Sequence, residues 1–300
     1  MCGILGIITK NKNLTDISKI LNTLKHRGPD DEGIYLNDNV ILGQRRLAII
    51  DLTPTGKQPM ISQCSKFKGK LIVNFNGEIY NYQDLKEELK KLGHNFFSNS
   101  DTEVILHSYE EWGVDAFRKF RGMFAFALYD ENKKELILVR DRFGIKPLYY
   151  YFDSENFIFS SEIKAFWQID FIRKEIDQEA ILDFLKFGYI LQPKTFYKNI
   201  SMLEAGNYLK FNLTNFQIEK NKFADILDFY KLPKKEITLD EAIKITKNSL
   251  LDSIKHHLIA DVEVGLFLSG GIDSSVLLYL MRELKHEKIK TVSAIFPNTI

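Results

Sequence analysis

The 300-residue chain has only two cysteines, Cys2 and Cys64. Two thiols cannot staple a chain of this size, so a disulfide scaffold is excluded and a reducing, cytoplasmic compartment is expected. No basic stretch followed by an apolar run opens the sequence, so no signal peptide is expected. No stretch reaches the roughly 18 consecutive apolar residues that mark a membrane span. Excess charge of one sign is lacking as well. There are 41 basic and 40 acidic residues, a net charge of +1, which gives neither nucleic acid nor an anionic membrane a reason to bind. Neither a zinc-ligand spacing nor a Walker A pattern occurs. Internal repeats and low-complexity tracts are missing too. What remains is ordinary for a globular protein: 45% hydrophobic and 27% charged residues, with 23 Phe and 13 Tyr for a core. The length suggests about two domains.

Hydrophobic patterning divides the chain near residue 215. Before it, short apolar runs predict strands over 3–9, 40–52, 70–75, 124–129, 135–139, 148–152 and 157–160. Helical spacing predicts helices around 17–24, over 82–92 and over 104–112, with Thr15 or Asp16 starting the first and Gly93 stopping the second. Many strands with a few helices predict an α+β domain of two packed sheets. A polar stretch over 221–236 reads as a linker. Beyond it, Thr238 and Glu241 form a capping box for a long helix. A strand over 262–268, a glycine turn, a helix over 274–284 and a strand over 291–296 then make a βαβ unit that opens an α/β domain.

Four groups of residues carry chemistry. Cys2 follows the initiator, and removal of Met1 would leave a thiol and a free α-amine on one residue, a nucleophile with its own base. The bland alternative is an apolar residue opening a strand. Asn76-Gly77-Glu78 closes a predicted strand, where a side-chain amide and a backbone N–H can converge on a developing oxyanion; a plain Asn-Gly turn is the alternative. Gln44-Arg45-Arg46 and Ser100-Asp101 supply a cation and an anion to clamp an amino acid by its two charged groups, although Asp101 also suits a helix cap. SGGIDSS at 269–275 lies between a strand and a helix, where backbone amides and hydroxyls bind phosphate and Asp273 can hold a divalent cation. The alternative there is an ordinary serine-capped loop.

Taken together, these segments resemble glutamine-dependent asparagine synthetases. The stretches that carry the resemblance are CGILGI, HRGPDDEG, LGQRRLAIIDL, GKQPM, NFNGEIYNYQDL, SDTEVIL, RGMFAFALYD, RDRFGIKPLYYY, SSEIKAF, FGYILQPKTFYKNISMLEAGNYL and VGLFLSGGIDSS, in order over nearly the whole chain. The resemblance implies an N-terminal-nucleophile hydrolase αββα sandwich, a class II glutamine amidotransferase domain, over 2–215. It further implies a linker over 216–236 and the beginning of an α/β adenine-nucleotide α-hydrolase-like synthetase domain over 237–300. Carried over by residue, Cys2 is the nucleophile and Asn76 and Gly77 form the oxyanion hole. Arg46 holds the α-carboxylate of glutamine, while Glu78 and Asp101 surround its α-amine. Leu268, Ser269, Gly270, Gly271, Ser274, Ser275 and Ala294 contact ATP and its pyrophosphate, and Asp273 helps to bind Mg²⁺. The implied reaction is hydrolysis of glutamine to glutamate and ammonia, followed by ATP-dependent amidation of aspartate to asparagine.

Some positions depart from the family pattern. Gln44 and Lys57 stand where histidine is common, and Ile272 where leucine is common. The sequence given ends after two recognisable strands of the synthetase sheet, too few to bury both its faces. The family's later aspartate-binding and second Mg²⁺-binding elements have no counterpart in it, so a fragment or an interrupted gene is expected. The region up to about 215 is expected to hydrolyse glutamine alone, and the 300 residues as given to make no asparagine. A sugar carboxylate or another acid is an alternative acceptor. A non-catalytic remnant that binds through an exposed, aggregation-prone synthetase edge is an alternative of another class. Members often dimerise, and a homodimer is one state that the resemblance allows.

Overall fold

A computed structural model describes residues 1–10, 16–37, 39–63, 69–284 and 288–295. Cys64 and the end of the strand expected over 291–296 lie outside them. The described chain divides into two compact units, Met1–Tyr230 and Lys231–Ile300. No helix among the described residues is long and apolar enough to cross a membrane.

The first unit is built on two antiparallel six-stranded sheets. In chain order its strands are β1 (Gly3–Thr9), β2 (Asp31–Asn37), β3 (Val40–Arg46), β4 (Met60–Ile61), β5 (Leu71–Ile79) and β6 (Gly122–Asp130). Then follow β7 (Glu135–Arg140), β8 (Tyr149–Phe152), β9 (Asn156–Ser160), β10 (Ile200–Met202), β11 (Asn207–Asn212) and β12 (Gln217–Lys222). One sheet has the order β10-β8-β9-β1-β3-β2 and the other β12-β11-β7-β6-β5-β4. Residues alternate between faces along a strand, and β1 uses both of its faces. Ile4 and Ile8 enter the core between the sheets with Phe157, Phe159, Leu138 and Phe211. Leu5 and Ile7 enter a second core beneath α1 (Ile17–Asn22), with Ile20, Leu21 and Phe166. Side chains from the two sheets meet directly: the Phe157 and Phe211 rings stack 4.5 Å apart. At Gly6, a Cβ would lie within 1.9 Å of the Phe159 ring, so glycine is what lets that ring seat. On the second sheet, α3 (Asp101–Trp112) packs against β5 and α2 (Tyr82–Lys91) against α3. Among the described residues, α4 (Ala116–Lys119), α5 (Gln178–Phe187) and α6 (Leu227–Tyr230) are the further α-helices of the unit. The layer order is the αββα sandwich that the resemblance implies.

Several boundaries differ from expectation. The strand expected over 40–52 stops at Arg46, and residues beyond it turn inward around the Arg46 side chain. The strand expected over 70–75 continues through Asn76-Gly77 to Ile79, paired throughout with β6. The domain edge expected at 215 and the linker expected from 216 fall on a hairpin, because β12 pairs with β11 from Gln217 to Lys222. This edge strand reads QIEKNK and is largely exposed. Charged residues blunt sheet edges against aggregation, and the same residues make the strand look like a linker. Directly after it, Phe223 is buried against Phe117 and Phe124.

The second unit holds α7 (Leu239–His257), β13 (Gly265–Phe267), α8 (Ile272–Leu284) and β14 (Lys290–Val292). Thr238 and Glu241 make the expected capping box. β13 and β14 pair in parallel, as a βαβ crossover requires. The helix expected to start at Ser274 starts two residues earlier, at Ile272. Ile254, Leu280 and Met281 form a small core of its own.

A first prediction follows from Phe223. Ending the chain after Asn215 removes β12 and this buried ring, whose loss costs roughly 3–5 kcal/mol. That protein is expected to unfold at lower urea concentration than one ending at Tyr230. Equal midpoints would show that the hairpin is dispensable.

Candidate active site

The register between the sheets builds the site. Asn74 projects from β5 toward the facing sheet, where its amide donates to Leu5 O (3.2 Å) and Gly43 O (2.8 Å). One step along, the Gln44 amide donates to Phe75 O at 3.0 Å. The next same-face position on β5 is Asn76. It arrives level with the start of β1, where Cys2 lies, and with Arg46 at the end of β3. A cavity of about 170 Å³ opens there. Cys2, Arg46, Asn76, Gly77, Glu78 and Asp101 all line it, so the six residues singled out for the glutamine site come together.

Cys2 and Arg46 are held from behind. Arg27 donates from Nε to Cys2 O (2.8 Å) and pairs with Glu162 (2.9 Å), which fixes the backbone of residue 2. The Leu47 N–H donates to Cys2 Sγ at 3.4 Å. Burial pushes the Cys2 thiol pKa up, and the Leu47 N–H and the chain's terminal amine oppose that rise. Burial pulls the terminal amine down. With Met1 attached, that amine belongs to Met1 and the Cys2 nitrogen is a peptide nitrogen. Arg46 is clasped by backbone carbonyls of Ile50 (3.3 Å), Asp51 and Thr53 (3.3 Å). Arg45, its neighbour on the strand, faces the other way and pairs with Glu32 and Asn22. Only one of the two arginines therefore reaches the cavity. Gln44, at a departure from the family pattern, is buried and bridges the sheets as Asn74 does.

Asn76 is the telling side chain. It is fully buried, yet neither its Nδ2 nor its Oδ1 has a hydrogen-bond partner in the protein. A buried orphan amide costs about 1–3 kcal/mol, a cost that a bound group in the cavity would offset. The neighbouring backbone offers a second donor. The Phe75 N–H goes to Gln58 Oε1 (2.8 Å) and the Ile79 N–H to Asp101 Oδ2 (2.9 Å), both on the edge of β5 away from β6. The two-residue period of a strand puts the Gly77 N–H on that edge between them. Gly77 must be glycine, since a Cβ would stand 2.2 Å from Met123 O.

Asp101 is not the helix cap. Ser100 caps α3 by accepting from the Thr102 N–H, and Asp101 turns its carboxyl inward. Burial is the largest influence on it and pushes its pKa up to about 7; the Ile79 N–H opposes this and the Glu78 carboxylate adds to it. Lys146, which reasoning from the sequence left without a role, also lines the cavity and is buried, with its pKa lowered by that burial. Asp141 holds it in place by accepting from the Lys146 and Phe124 N–H groups. Arg27 and Lys146 both lie in stretches that carried the family resemblance, HRGPDDEG and RDRFGIKP, but neither residue's contacts follow from its position in the chain.

In the second unit, Ser269 to Ser275 form the turn from β13 into α8. Gly270 has the left-handed φ of +81°. Ser269 Oγ and Ser274 Oγ lie 3.1 Å apart, and Ser275 Oγ donates to Gly271 O at 2.8 Å. Leu268, Gly270 and Ser275 border an open cavity with Arg282 and Lys288. Asp273 sits exposed in the first turn of α8, and Ala294 is exposed just after β14. The Leu268 backbone is tied to β14 through Val292 O (2.9 Å).

Comparison with known proteins accords with this geometry. The glutamine amidotransferase domain family matches residues 1–223, and the asparagine synthase family residues 246–299. The chain is 40% identical to a Methanocaldococcus jannaschii protein named "Putative asparagine synthetase (glutamine-hydrolyzing) 2", over 94% of this chain and 57% of that protein. It is 36% identical to asparagine synthetase (glutamine-hydrolyzing) 1 of Bacillus subtilis, over 99% of this chain and 46% of that protein. The chain thus spans about half the length of these relatives. Glutamine phosphoribosylpyrophosphate amidotransferase of Bacillus subtilis superposes with a TM-score of 0.55 at 19% identity, covering 97% of this chain and 65% of that one; this likeness concerns the fold, that of the N-terminal-nucleophile hydrolases.

Burial sets up a second prediction. An unfolded aspartate titrates near 3.9, so between about pH 4 and 7 folded Asp101 holds a proton that the unfolded chain has released. Its contribution to stability therefore falls as pH rises through that window, by on the order of 4 kcal/mol in total. Asp101→Asn should gain stability relative to the parent from pH 4 to pH 7 and keep the gain above it. Denaturant midpoints measured across this range check the trend; a difference independent of pH would contradict it. The matched segments and the fold around the cavity place the chain in the glutamine amidotransferase domain family, with that domain as its first unit.

Proposed function

We propose that the first unit hydrolyses glutamine, with Cys2 as nucleophile, and that in the whole protein the ammonia amidates the β-carboxylate of aspartate at the expense of ATP. The observation that carries the first half is the orphan amide of Asn76, buried beside Cys2 with a strand-edge N–H next to it. In this reading the Cys2 sulfur attacks the side-chain amide carbon of glutamine. The oxyanion that forms takes hydrogen bonds from Asn76 Nδ2 and Gly77 N, worth most where water is excluded. Once Met1 is removed, the freed α-amine of Cys2 accepts the thiol proton and returns it to the leaving nitrogen, which departs as ammonia. Water then attacks the thioester, releasing glutamate and restoring the thiol. Arg46 pairs with the substrate α-carboxylate. Asp101 and Glu78 meet its α-ammonium, a cation that would restore the ionised form of Asp101.

The asparagine half rests on the relatives' names and on the glycine turn of the second unit. The turn suits a phosphate chain: Gly270 adopts a left-handed backbone, nothing would crowd a Cβ there, and a long helix begins at the turn. Ser269, Gly270, Gly271, Ser274 and Ser275 would hold the pyrophosphate of ATP, with Leu268 and Ala294 beside the nucleotide and Asp273 on Mg²⁺. Magnesium would neutralise phosphate charge at that turn.

With Met1 removed, Cys2→Ala should release no glutamate from glutamine, and Asn76→Ala should lower kcat by roughly 10²-fold or more. Glutamate release persisting in the Cys2 variant would sink the assignment.

A further inference from the structure

On the far side of α3 from the cysteine cavity lies a buried cluster that glutamine hydrolysis does not use. His94, just after α2, and His107 and Glu110, on α3, bring one ligand atom each to a common point. His94 Nδ1 and His107 Nδ1 are 3.2 Å apart. Glu110 Oε2 is 3.0 Å from His107 Nδ1 and 3.4 Å from His94 Nδ1. Both rings and the carboxylate are about 98% buried. The three atoms form a nearly equilateral triangle. In a tetrahedron with bonds of roughly 2.0–2.1 Å, the zinc–nitrogen length, ligand atoms stand about 3.3–3.4 Å apart.

The surrounding contacts fix the charge at that point. Each ring turns its Nε2 to a carboxylate: His94 to Glu111 at 2.9 Å and His107 to Glu103 at 3.4 Å. In a neutral ring the proton then resides on Nε2, and Nδ1 presents a lone pair. Two lone pairs and a carboxylate oxygen would repel one another unless a proton or a metal ion lies among them. Carboxylates behind the histidines are also the usual outer support of a metal site. A second, independent sign is that Glu110 Oε1 is buried with no hydrogen-bond partner, leaving the carboxylate free to share a metal through either oxygen. Glu103 and His107 also border a neighbouring cavity. The spacing, His94 then His107 then Glu110, matches no zinc pattern sought in the sequence because two elements supply the ligands.

We propose that His94 Nδ1, His107 Nδ1 and Glu110 bind one divalent transition-metal ion, Zn²⁺ by ligand type, with the fourth position left to water. The ion would fasten α3 to the segment after α2.

Elemental analysis of the full chain, loaded with Zn²⁺ and then gel-filtered, tests this. About one zinc per chain is expected, and Co²⁺ in its place should give the intense visible bands of a four-coordinate site. Glu111→Gln, which keeps all three ligands, should weaken zinc affinity about tenfold or more, and His107→Gln should abolish retention. Zinc should also raise the melting temperature of the wild type and not of His107→Gln. A folded wild type that retains under about a tenth of an equivalent and shows no Co²⁺ bands would overturn the site, and the cluster would then be held by protons alone. That measurement needs no variant to fold, and it is independent of glutamine hydrolysis.

Discussion

The site depends on one constraint: β1 is buried on both faces and hydrogen-bonded on both edges. It lies between β9 and β3. Its odd-numbered side chains are locked under α1 and its even-numbered ones between the sheets. A chain terminus is ordinarily among the most mobile parts of a protein. Here the terminal residues continue directly from a strand that cannot shift, rotate or slip register without moving a whole face of apolar groups. Arg27 completes the restraint by holding the Cys2 carbonyl. The proposed nucleophile thereby acquires a fixed position immediately before the strand.

The inter-sheet layer changes character along its length, and the change makes the cavity. Toward the middle it is aromatic and aliphatic, with Phe157 stacked on Phe211. Toward the start of β1 it becomes a row of amides: Asn74 and Gln44, both bonded across the gap, then Asn76, which is not. Buried amides with partners pin the register of two sheets that apolar packing alone would leave freer to slide. The unpartnered amide is the end of the same row, where the opposite sheet runs out. In that row Asn76 is the amide with neither its nitrogen nor its oxygen partnered, and a buried side chain left so beside a thiol marks where a ligand would complete it.

What was legible in the sequence follows from the range of the interactions. A short apolar run marked β1, and the cap signals found α7, because both are local. Cys2, Arg46, Asn76 and Asp101 were picked out by residue type and by family likeness, and the cavity brings them together. Residue type alone did not separate Arg46 from Arg45, a choice that family likeness made, since the face each takes depends on the register of β3. Residue type left Asp101 open between a cap and a substrate contact because Ser100 and Asp101 are both good cap residues; which one turns inward is decided by the Ile79 N–H on a different element. The polar strand β12 was hidden because an edge strand is selected to look unlike a core one. Arg27, Lys146 and the His94–His107 pair escaped for the same reason as one another: their partners are distant in sequence or on another element.

Helix α3 links the two sites of the first unit. Its N-terminal turn carries Asp101 into the cysteine cavity, and His107 and Glu110 follow about 9 and 14 Å along its axis at 1.5 Å per residue. Burial of Asp101 raises the free energy of its ionised form, so a carboxylate there is retained against a tendency to turn away or to protonate. Turning away is what the rest of the helix prevents. From Asp101 to Tyr109 every residue is buried, and the histidine cluster fixes the helix at its other end. A rigid helix converts an unfavourable buried carboxylate into a preorganised one, whose ionised form the ammonium group of the proposed substrate would restore. The cost is met in folding, before the substrate binds, and this is how a site gains selectivity for a zwitterionic amino acid over a simple amide.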